Sequence, residues 1–211
     1  MRADDLGTEP ASRVAGLVLA AGAGRRYGMP KALVPYEGSL LVERACRLIA
    51  EVCDPVVVVL GAAADEVRSR AELGDAEVVM NADWDTGMAS SLRTGLAWMG
   101  ALSGGSPASR QGGGVVPGII DAVLVHLVDL PGMTVAAVRR LARAASPDVL
   151  AVASYAGVRG HPVLLGRTHW AGVAETATGD EGARGYLASH EVIEIECADV
   201  ADPADLDYPP T

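Results

Sequence analysis

The amino-acid sequence predicts a three-layer α/β/α protein, in which helices cover both faces of a mainly parallel β-sheet. Short apolar runs bounded by glycine or proline alternate along the chain with segments of helical periodicity. Half of the 211 residues are hydrophobic, yet phenylalanine is absent and only 4% are aromatic, which favours close packing of helices on a sheet. A chain of this length is expected to form one domain, here residues 14–197.

Seven apolar segments are predicted to be strands. Most lack the alternation of polar and apolar residues that a half-exposed strand shows, so they are expected to be buried on both faces of the sheet. The sixth segment is expected to pair in a smaller, partly antiparallel section. The predicted strands are residues 14–21, 55–60, 77–80, 119–128, 149–153, 158–165 and 192–197.

Six helices are predicted between these strands. In the first, Leu41, Ala45, Leu48 and Val52 recur at helical spacing. Ser39 and Thr134 stand where an N-cap is expected, directly before a helical segment. The predicted helices are residues 40–52, 62–73, 89–101, 135–145, 168–176 and 181–189.

Three segments are predicted to lack regular structure. Residues 1–13 are polar and are expected to form a flexible N-terminus. Residues 103–118, rich in glycine, serine and proline, predict a flexible insertion. A linker between domains is rejected, because the strand that follows needs partners from the first half of the chain. Residues 198–211 are acidic and proline-containing, and predict a tail that leaves the domain.

Charge and composition exclude several functional classes. A net charge of −10 argues against binding to nucleic acid or to a membrane surface. No apolar run approaches the length of a membrane span, and the N-terminus lacks the basic and apolar regions of a signal peptide. Cys46, Cys53 and Cys197 have no metal-ligand spacing and are interpreted as buried thiols in a reducing compartment. A cytoplasmic enzyme is expected.

The loop after the first strand carries the clearest chemical signal. Within ten residues it contains three glycines, two adjacent arginines and a lysine. Glycine allows the backbone to turn sharply, so that successive N–H groups can surround an anion. Arg25, Arg26 and Lys31 add positive charge at the same place, and the segment therefore predicts a polyphosphate site.

Two other phosphate loops do not match this segment. A P-loop requires Ser or Thr after its lysine, whereas Lys31 is followed by Ala32. The dinucleotide fingerprint is one residue shorter between its second and third glycines, and it opens a helix that Pro30 and Pro35 disfavour. An oxidoreductase that binds NAD through this loop is therefore disfavoured.

The pattern L-A-A-G-x-G-x-R-x-G-x-P-K in this loop resembles the signature of nucleotidyltransferases, and is similar to their molybdenum-cofactor branch. Tyr27 stands where that family usually has methionine. The resemblance implies a Rossmann-like sheet of the nucleotide-diphospho-sugar transferase type. It also implies nucleotide binding by the residues of this loop, namely Leu19, Ala20, Ala21, Gly22, Ala23, Gly24, Arg25, Arg26 and Lys31.

Two further polar segments follow predicted strands, where ligands of parallel sheets bind. Asp129 ends an apolar run, and its carboxylate could hold Mg²⁺ or simply cap the turn before Pro131. It resembles the metal-binding aspartate of the nucleotidyltransferases. Residues 81–92 resemble the family segment around the base and ribose, which points to Asn81, Ser90 and Ser91. Helix capping explains the two serines equally well.

Two segments of the second half resemble the molybdenum-cofactor cytidylyltransferases. They are Gly160-His161-Pro162 and residues 178–184. The resemblance implies that His161 and Arg184 bind the acceptor substrate and that Asp180 is a second metal ligand. Structural alternatives exist for each: a turn at His161, a helix N-cap at Asp180 and an ion pair of Arg184 with Glu181.

The resemblance implies an enzyme that transfers CMP from CTP to the phosphate of molybdopterin, with Mg²⁺ as cofactor. Lys31, Arg25 and Asp129 are then the catalytic residues, and a molybdenum hydroxylase is a possible partner. Ala21 favours CTP over GTP, because the guanylyltransferase branch has glycine there. The alternatives are another nucleotidyltransferase, using GTP or a sugar or polyol phosphate, and a non-catalytic carrier of the molybdenum cofactor.

Overall fold

The computed structural model describes residues 12–103 and 119–207. The predicted flexible N-terminus, except for Ser12 and Arg13, lies outside the described residues. So do all of the predicted insertion except Ser103 and the last four residues of the predicted tail. The described residues form one sheet with helices on both faces and a separate short hairpin.

The sheet has seven strands in the order β5-β4-β1-β6-β8-β7-β9. All neighbours are parallel except those of β8, which runs antiparallel to both β6 and β7. Strands β2 and β3 form the hairpin. The strands are β1 (Val14–Leu19), β2 (Pro35–Tyr36), β3 (Ser39–Leu40), β4 (Val56–Leu60), β5 (Glu77–Met80), β6 (Ala122–Leu127), β7 (Leu150–Tyr155), β8 (Val158–Gly166) and β9 (Ile193–Glu196). The predicted mainly parallel sheet with a small antiparallel section is confirmed.

In the described parts of the chain, six α-helices cover the sheet, three on each face. They are α1 (Leu41–Ala50), α2 (Ala64–Arg70), α3 (Met88–Ser103), α4 (Val135–Ala142), α5 (Trp170–Thr176) and α6 (Arg184–Ala188). Helices α1, α2 and α4 contribute to one apolar core, and α3, α5 and α6 contribute to the other. None of the helices in the described ranges has the length and apolar character that a membrane span requires.

Strand β1 shows why both faces of the sheet need cover. Val18 packs in the first core, whereas Leu17 and Leu19 pack in the second, because successive side chains of a strand point to opposite faces. All six residues of β1 are buried, and full burial of one leucine stabilises the fold by about 1.5–3 kcal/mol. The three cysteines are buried free thiols, as predicted.

The helix caps match the sequence prediction only in part. The Thr134 hydroxyl accepts a hydrogen bond from the Ala137 N–H at 3.3 Å, which confirms it as the cap of α4. The prediction for Ser39 is wrong, because Ser39 belongs to β3 and Leu40 is the N-cap of α1. The Glu43 carboxylate accepts from the Leu40 N–H instead, at 2.9 Å.

The acidic tail differs most from its prediction. Residues 198–207 do not leave the domain but run along the loop that follows β6. The Leu206 N–H donates to the Asp129 carbonyl at 3.0 Å, and the Asp202 N–H donates to the Gly132 carbonyl at 3.1 Å. A hydrogen-bonded backbone therefore fixes this part of the tail beside the carboxyl end of the sheet.

Candidate active site

A cavity of about 560 Å³ lies at the carboxyl ends of the parallel strands, and its size is typical of small-molecule sites. The loop after β1, the start of α3, the end of β6 and the acidic tail line it. Its walls include Leu19, Ala21, Gly22, Ala23, Gly24, Arg25, Arg26, Lys31, Trp84, Met88, Ser91, Asp129, Asp180, Asp205 and Asp207. The cavity therefore brings together most of the residues that the sequence predicts to form the site.

The glycine loop has the open backbone that anion binding requires. Gly24 has a φ of +61°, and a Cβ atom there would stand 1.8 Å from the Met29 carbonyl oxygen, so only glycine fits. The Gly28 N–H closes the turn on the Gly24 carbonyl at 2.8 Å. Among the described residues, the N–H groups of residues 22–26 have no hydrogen-bond partner, which leaves them free for a phosphate.

Lys31 and Asp129 form an ion pair on the wall of this cavity. The Lys31 Nζ lies 2.7 Å from the Asp129 carboxylate and 3.1 Å from the Asp207 carboxylate. The second oxygen of Asp207 accepts from Arg26 at 2.8 Å. The loop after β1, the end of β6 and the tail are therefore joined through one ionic network.

The environment of Lys31 keeps its ammonium charged. Burial by itself would lower the pKa of Lys31, but the hydrogen bonds and charges of Asp129 and Asp207 outweigh it and raise that pKa above its usual value. The pKa of Asp207 is lowered, chiefly by its hydrogen bond from Lys31. Lys31 is the single lysine of the chain, so its ammonium is the one lysine ammonium at the site.

Asn81 and Ser90 hold the loop after β5 in place through hydrogen bonds. The Asn81 amide is buried and donates to the hydroxyls of Ser90 at 2.8 Å and Ser91 at 3.0 Å. Ser90 donates in turn to the carbonyls of Asp83 and Gly87. Of the three residues nominated in this segment, Ser91 lines the cavity, whereas Asn81 and Ser90 position the loop.

Ala20 and Asp180 also have backbone partners. The Ala20 N–H donates to the Val59 carbonyl, and Ala20 is not among the cavity walls. The Asp180 carboxylate lines the cavity and accepts from the Met88 N–H at 3.2 Å. Asp180 therefore caps α3, which is distant in sequence, and not the helix that follows it.

His161 and Arg184 lie beside this cavity, in a smaller one of about 40 Å³. Leu19 and Met88 line both spaces, so the two are neighbours. Burial lowers the pKa of His161 and keeps its ring neutral, although the Val125 carbonyl and Asp129 act in the opposite direction. The two residues predicted to bind the acceptor substrate therefore line the same small cavity.

The charge of the cavity differs from the expected local positive field. Of the residues described at this site, three with cationic side chains line the cavity, against five carboxylates from Asp85, Asp129, Asp180, Asp205 and Asp207. The positive charge is confined to the loop after β1 and Lys31. Within the described ranges no group of three or more histidines, cysteines and carboxylates is arranged as a complete metal site.

The sequence does not point to Asp205 and Asp207, because an acidic, proline-containing tail predicts an exit from the domain. Trp84 is half-buried against the second apolar core and also lines the cavity. The accumulation of aspartates after the last predicted strand was the available signal for the tail. No local pattern gives the direction in which such a tail runs.

A mainly parallel sheet with a glycine loop after its first strand and a lysine–aspartate pair at its carboxyl edge defines the class as nucleotidyltransferase-like. The fold is shared with a solved nucleotidyl transferase from Methanothermobacter, which is 21% identical with a TM-score of 0.68 over 87% of each chain. The model of the MobA-like NTP transferase domain matches residues 16–193, and the chain belongs to this family.

The chain is also similar to three other proteins. The nicotine blue oxidoreductase of Paenarthrobacter nicotinovorans is 38% identical over 205 residues, 92% of each chain. A probable molybdenum cofactor guanylyltransferase of Bacillus cytotoxicus is 43% identical over 53 residues, 25% of this chain and 27% of that protein. The solved Rv0371c of Mycobacterium tuberculosis H37Rv is 28% identical, with a TM-score of 0.73 over 94% of each chain. Another structure of Rv0371c, 27% identical with a TM-score of 0.68 over 93% of this chain and 92% of that one, is a complex with manganese.

Proposed function

We propose that the protein transfers CMP from CTP to the terminal phosphate of molybdopterin and releases pyrophosphate. The observation that carries this proposal is the position of Lys31, 2.7 Å from Asp129 on the wall of the cavity that the glycine loop forms. An ammonium ion, free backbone N–H groups and a carboxylate around one space are what a triphosphate and its counter-cation need.

In this reaction an oxygen of the acceptor phosphate attacks the α-phosphorus of CTP. The bond from that phosphorus to the bridging oxygen breaks, and pyrophosphate leaves with the electron pair. The acceptor phosphate is already ionised, so no general base is required, which agrees with the neutral ring of His161. Arg25, Arg26 and the N–H groups of residues 22–26 hold the β- and γ-phosphates, and Lys31 stabilises the charge that develops at the α-phosphate.

The donor set of the cavity fits Mg²⁺, the expected cofactor. Five carboxylates beside a triphosphate would repel it without a counter-cation, and Mg²⁺ takes one or two carboxylates together with substrate phosphates and water. Asp129 and Asp180 are the proposed ligands. Asp207 accepts a hydrogen bond from Lys31, and a phosphate oxygen of the bound substrate would replace Asp207 as the acceptor. When bound, the ion would neutralise charge on the triphosphate. The manganese complex of the similar protein Rv0371c supports the proposal of a divalent cation here.

The preference for CTP is proposed on the side chain of Ala21, which is buried and lines the cavity. Its methyl group narrows the space beside the glycine loop, which disfavours the larger purine. Pyrophosphate release with molybdopterin is expected to be faster with CTP than with GTP, and Ala21→Gly is expected to raise the rate with GTP. Faster turnover of GTP by the unaltered protein would overturn the base assignment and favour the guanylyltransferase alternative.

The acceptor needs its own test, since a sugar or polyol phosphate is the alternative substrate. Pyrophosphate release from CTP is to be measured with molybdopterin and with sugar phosphates, each with Mg²⁺ and with a chelator. Release that depends on both molybdopterin and Mg²⁺ supports the proposal and excludes a non-catalytic carrier. Tight pterin binding without any release would favour the carrier instead, and a molybdenum hydroxylase would be the expected recipient in either case.

An oxidoreductase activity is the second candidate, because the nicotine blue oxidoreductase is similar over 92% of each chain. The loop after β1 departs from the dinucleotide fingerprint in spacing, so any nicotinamide cofactor would bind differently. The test is oxidation of NADH or NADPH in the presence of nicotine blue. Turnover there, with no pyrophosphate release from CTP or GTP, would replace nucleotidyl transfer with this candidate.

A further inference from the structure

A second cavity, of about 150 Å³, lies on the face of the sheet that α1 covers. Helix α1, strand β6 and the loop after Asp129 line it. Of the described residues, Val128 alone also lines the cavity of the candidate active site. Its apolar walls are Leu41, Ala45, Leu48, Leu130 and Met133. Nothing in the proposed nucleotidyl transfer uses this space.

His126 is the unexplained residue of this cavity. It lies in the otherwise apolar strand β6, is only 2% exposed, and its Nδ1 has no hydrogen-bond partner among the residues that the structure describes. Burial lowers the pKa of His126 to about 3, so the ring is neutral. A buried polar group without a partner destabilises a fold, and a leucine at this position would avoid that cost. A ligand in the cavity that accepts a hydrogen bond from the ring would offset this cost and explain why a histidine stands here.

Two guanidinium groups from α1 give this cavity its charge. Arg44 lies over the Tyr36 ring and donates to Glu37 at 3.0 Å and to the Pro131 carbonyl at 3.3 Å. Arg47 donates to the Ser39 hydroxyl at 2.8 Å, and no carboxylate of the described residues pairs with it. The uncompensated charge of Arg47 therefore stands beside an apolar space.

We propose that this cavity binds a small organic carboxylate, with its apolar body against the leucines and its carboxylate accepting hydrogen bonds from Arg47 and from the His126 ring. A cavity of about 150 Å³ can hold a benzene-sized ring, which bounds the ligand's body. A guanidinium at the rim selects a carboxylate over a neutral group of the same shape. The proposal does not depend on the nucleotidyltransferase reaction.

The test uses benzoate as the probe and the full chain labelled with ¹⁵N-histidine. Benzoate is expected to shift the His126 ring resonance saturably, and to leave that of His190, an exposed residue on the opposite face, unchanged. The His126 signal is identified by its loss in His126→Leu. Benzyl alcohol has the ring without the charge and inorganic phosphate has the charge without the ring, so each should bind at least about tenfold more weakly.

Matched arginine variants locate the carboxylate. Arg47→Met, an exposed position, is expected to weaken benzoate binding by about tenfold. Arg139→Met, an exposed arginine on α4 outside the cavity, should leave it unchanged. Three results would each overturn the proposal: no saturable shift of His126, equal binding of benzyl alcohol, or unaltered affinity in Arg47→Met. The affinities of benzoate and benzyl alcohol for the unaltered chain can also be compared by calorimetry, which needs no assigned resonance and no variant, so this comparison decides the matter even if a substitution prevents folding.

Discussion

Lys31 is held by two carboxylates that lie far from it in sequence. Asp129 is 98 positions away and Asp207 is 176 positions away, yet both accept hydrogen bonds from its ammonium. The loop pattern was enough to nominate Lys31 as a phosphate ligand. The presence of Asp129 in the same site followed from the expectation that the carboxyl ends of parallel strands share an edge. The direct ion pairs of Lys31 with Asp129 and Asp207 could not be predicted from the sequence.

The first prediction concerns the role of Lys31 in turnover. Lys31→Ala removes the cation at the α-phosphate, and we expect the rate of pyrophosphate release to fall by roughly a hundredfold or more. The melting temperature should change little by comparison. The control is Arg139→Ala, an exposed cation outside the cavity that should retain full activity. A nearly normal rate in Lys31→Ala would show that the phosphate role is wrong.

The second prediction concerns the pKa of Lys31. Because the chain has one lysine, ¹³C-lysine labelling gives a single side-chain resonance to titrate. Asp129 and Asp207 raise the pKa of Lys31 above its usual value of 10.5, so Asp129→Asn and Asp207→Asn should each lower it. Asp148→Asn changes a carboxylate without a bond to Lys31 and should not. A pKa that is insensitive to both neighbours would refute the ionic network.

At the scale of elements, the sequence predicted each described strand of the main sheet and each described α-helix that covers it, but not all of their ends. Periodicity is set by residues within one or two turns, so it survives in the sequence. Caps are less local: Asp180 caps α3 from 92 positions away, and Glu43 replaces Ser39 at the start of α1.

The third prediction tests how the tail docks. A Cβ atom at Gly132 would lie 2.8 Å from both Cβ and the carbonyl oxygen of Asp202, so Gly132→Ala should displace residues 202–207. Faster amide exchange at Leu206 is expected, together with a lower pKa of Lys31 as Asp207 moves away. Gly100→Ala, where a Cβ would meet nothing within 4 Å, is the control. Unchanged exchange at Leu206 in Gly132→Ala would contradict this docking.

At the scale of the whole molecule, buried neutral histidines link stability to pH. Burial lowers the pKa of His126 from 6.5 to about 3 and also lowers the pKa of His161. The unfolded chain binds protons at these rings below its pKa of 6.5, whereas the folded chain does not. Their contribution to stability is therefore complete above pH 6.5 and is lost as the pH falls towards the folded values.

The fourth prediction follows from that sign. The melting temperature should fall as the pH is lowered from 6.5, before the carboxylates titrate, and the fall should be shallower in His126→Leu. His190→Gln, at an exposed position, should keep the steeper dependence. An equal dependence of melting temperature on pH in His126→Leu and in the unaltered chain would show that His126 does not contribute to the pH dependence of stability.

The sequence by itself determined the layers of the molecule, the glycine loop and the aspartate that ends β6. These features depend on local periodicity, on backbone conformations open only to glycine and on the common direction of parallel strands. Only the tertiary structure decided that the acidic tail turns back to Lys31, that Asp180 caps a distant helix and that His126 faces a cavity behind the site. Such contacts join residues that are far apart along the chain, and the free energy of long-range packing leaves no periodic pattern in either partner.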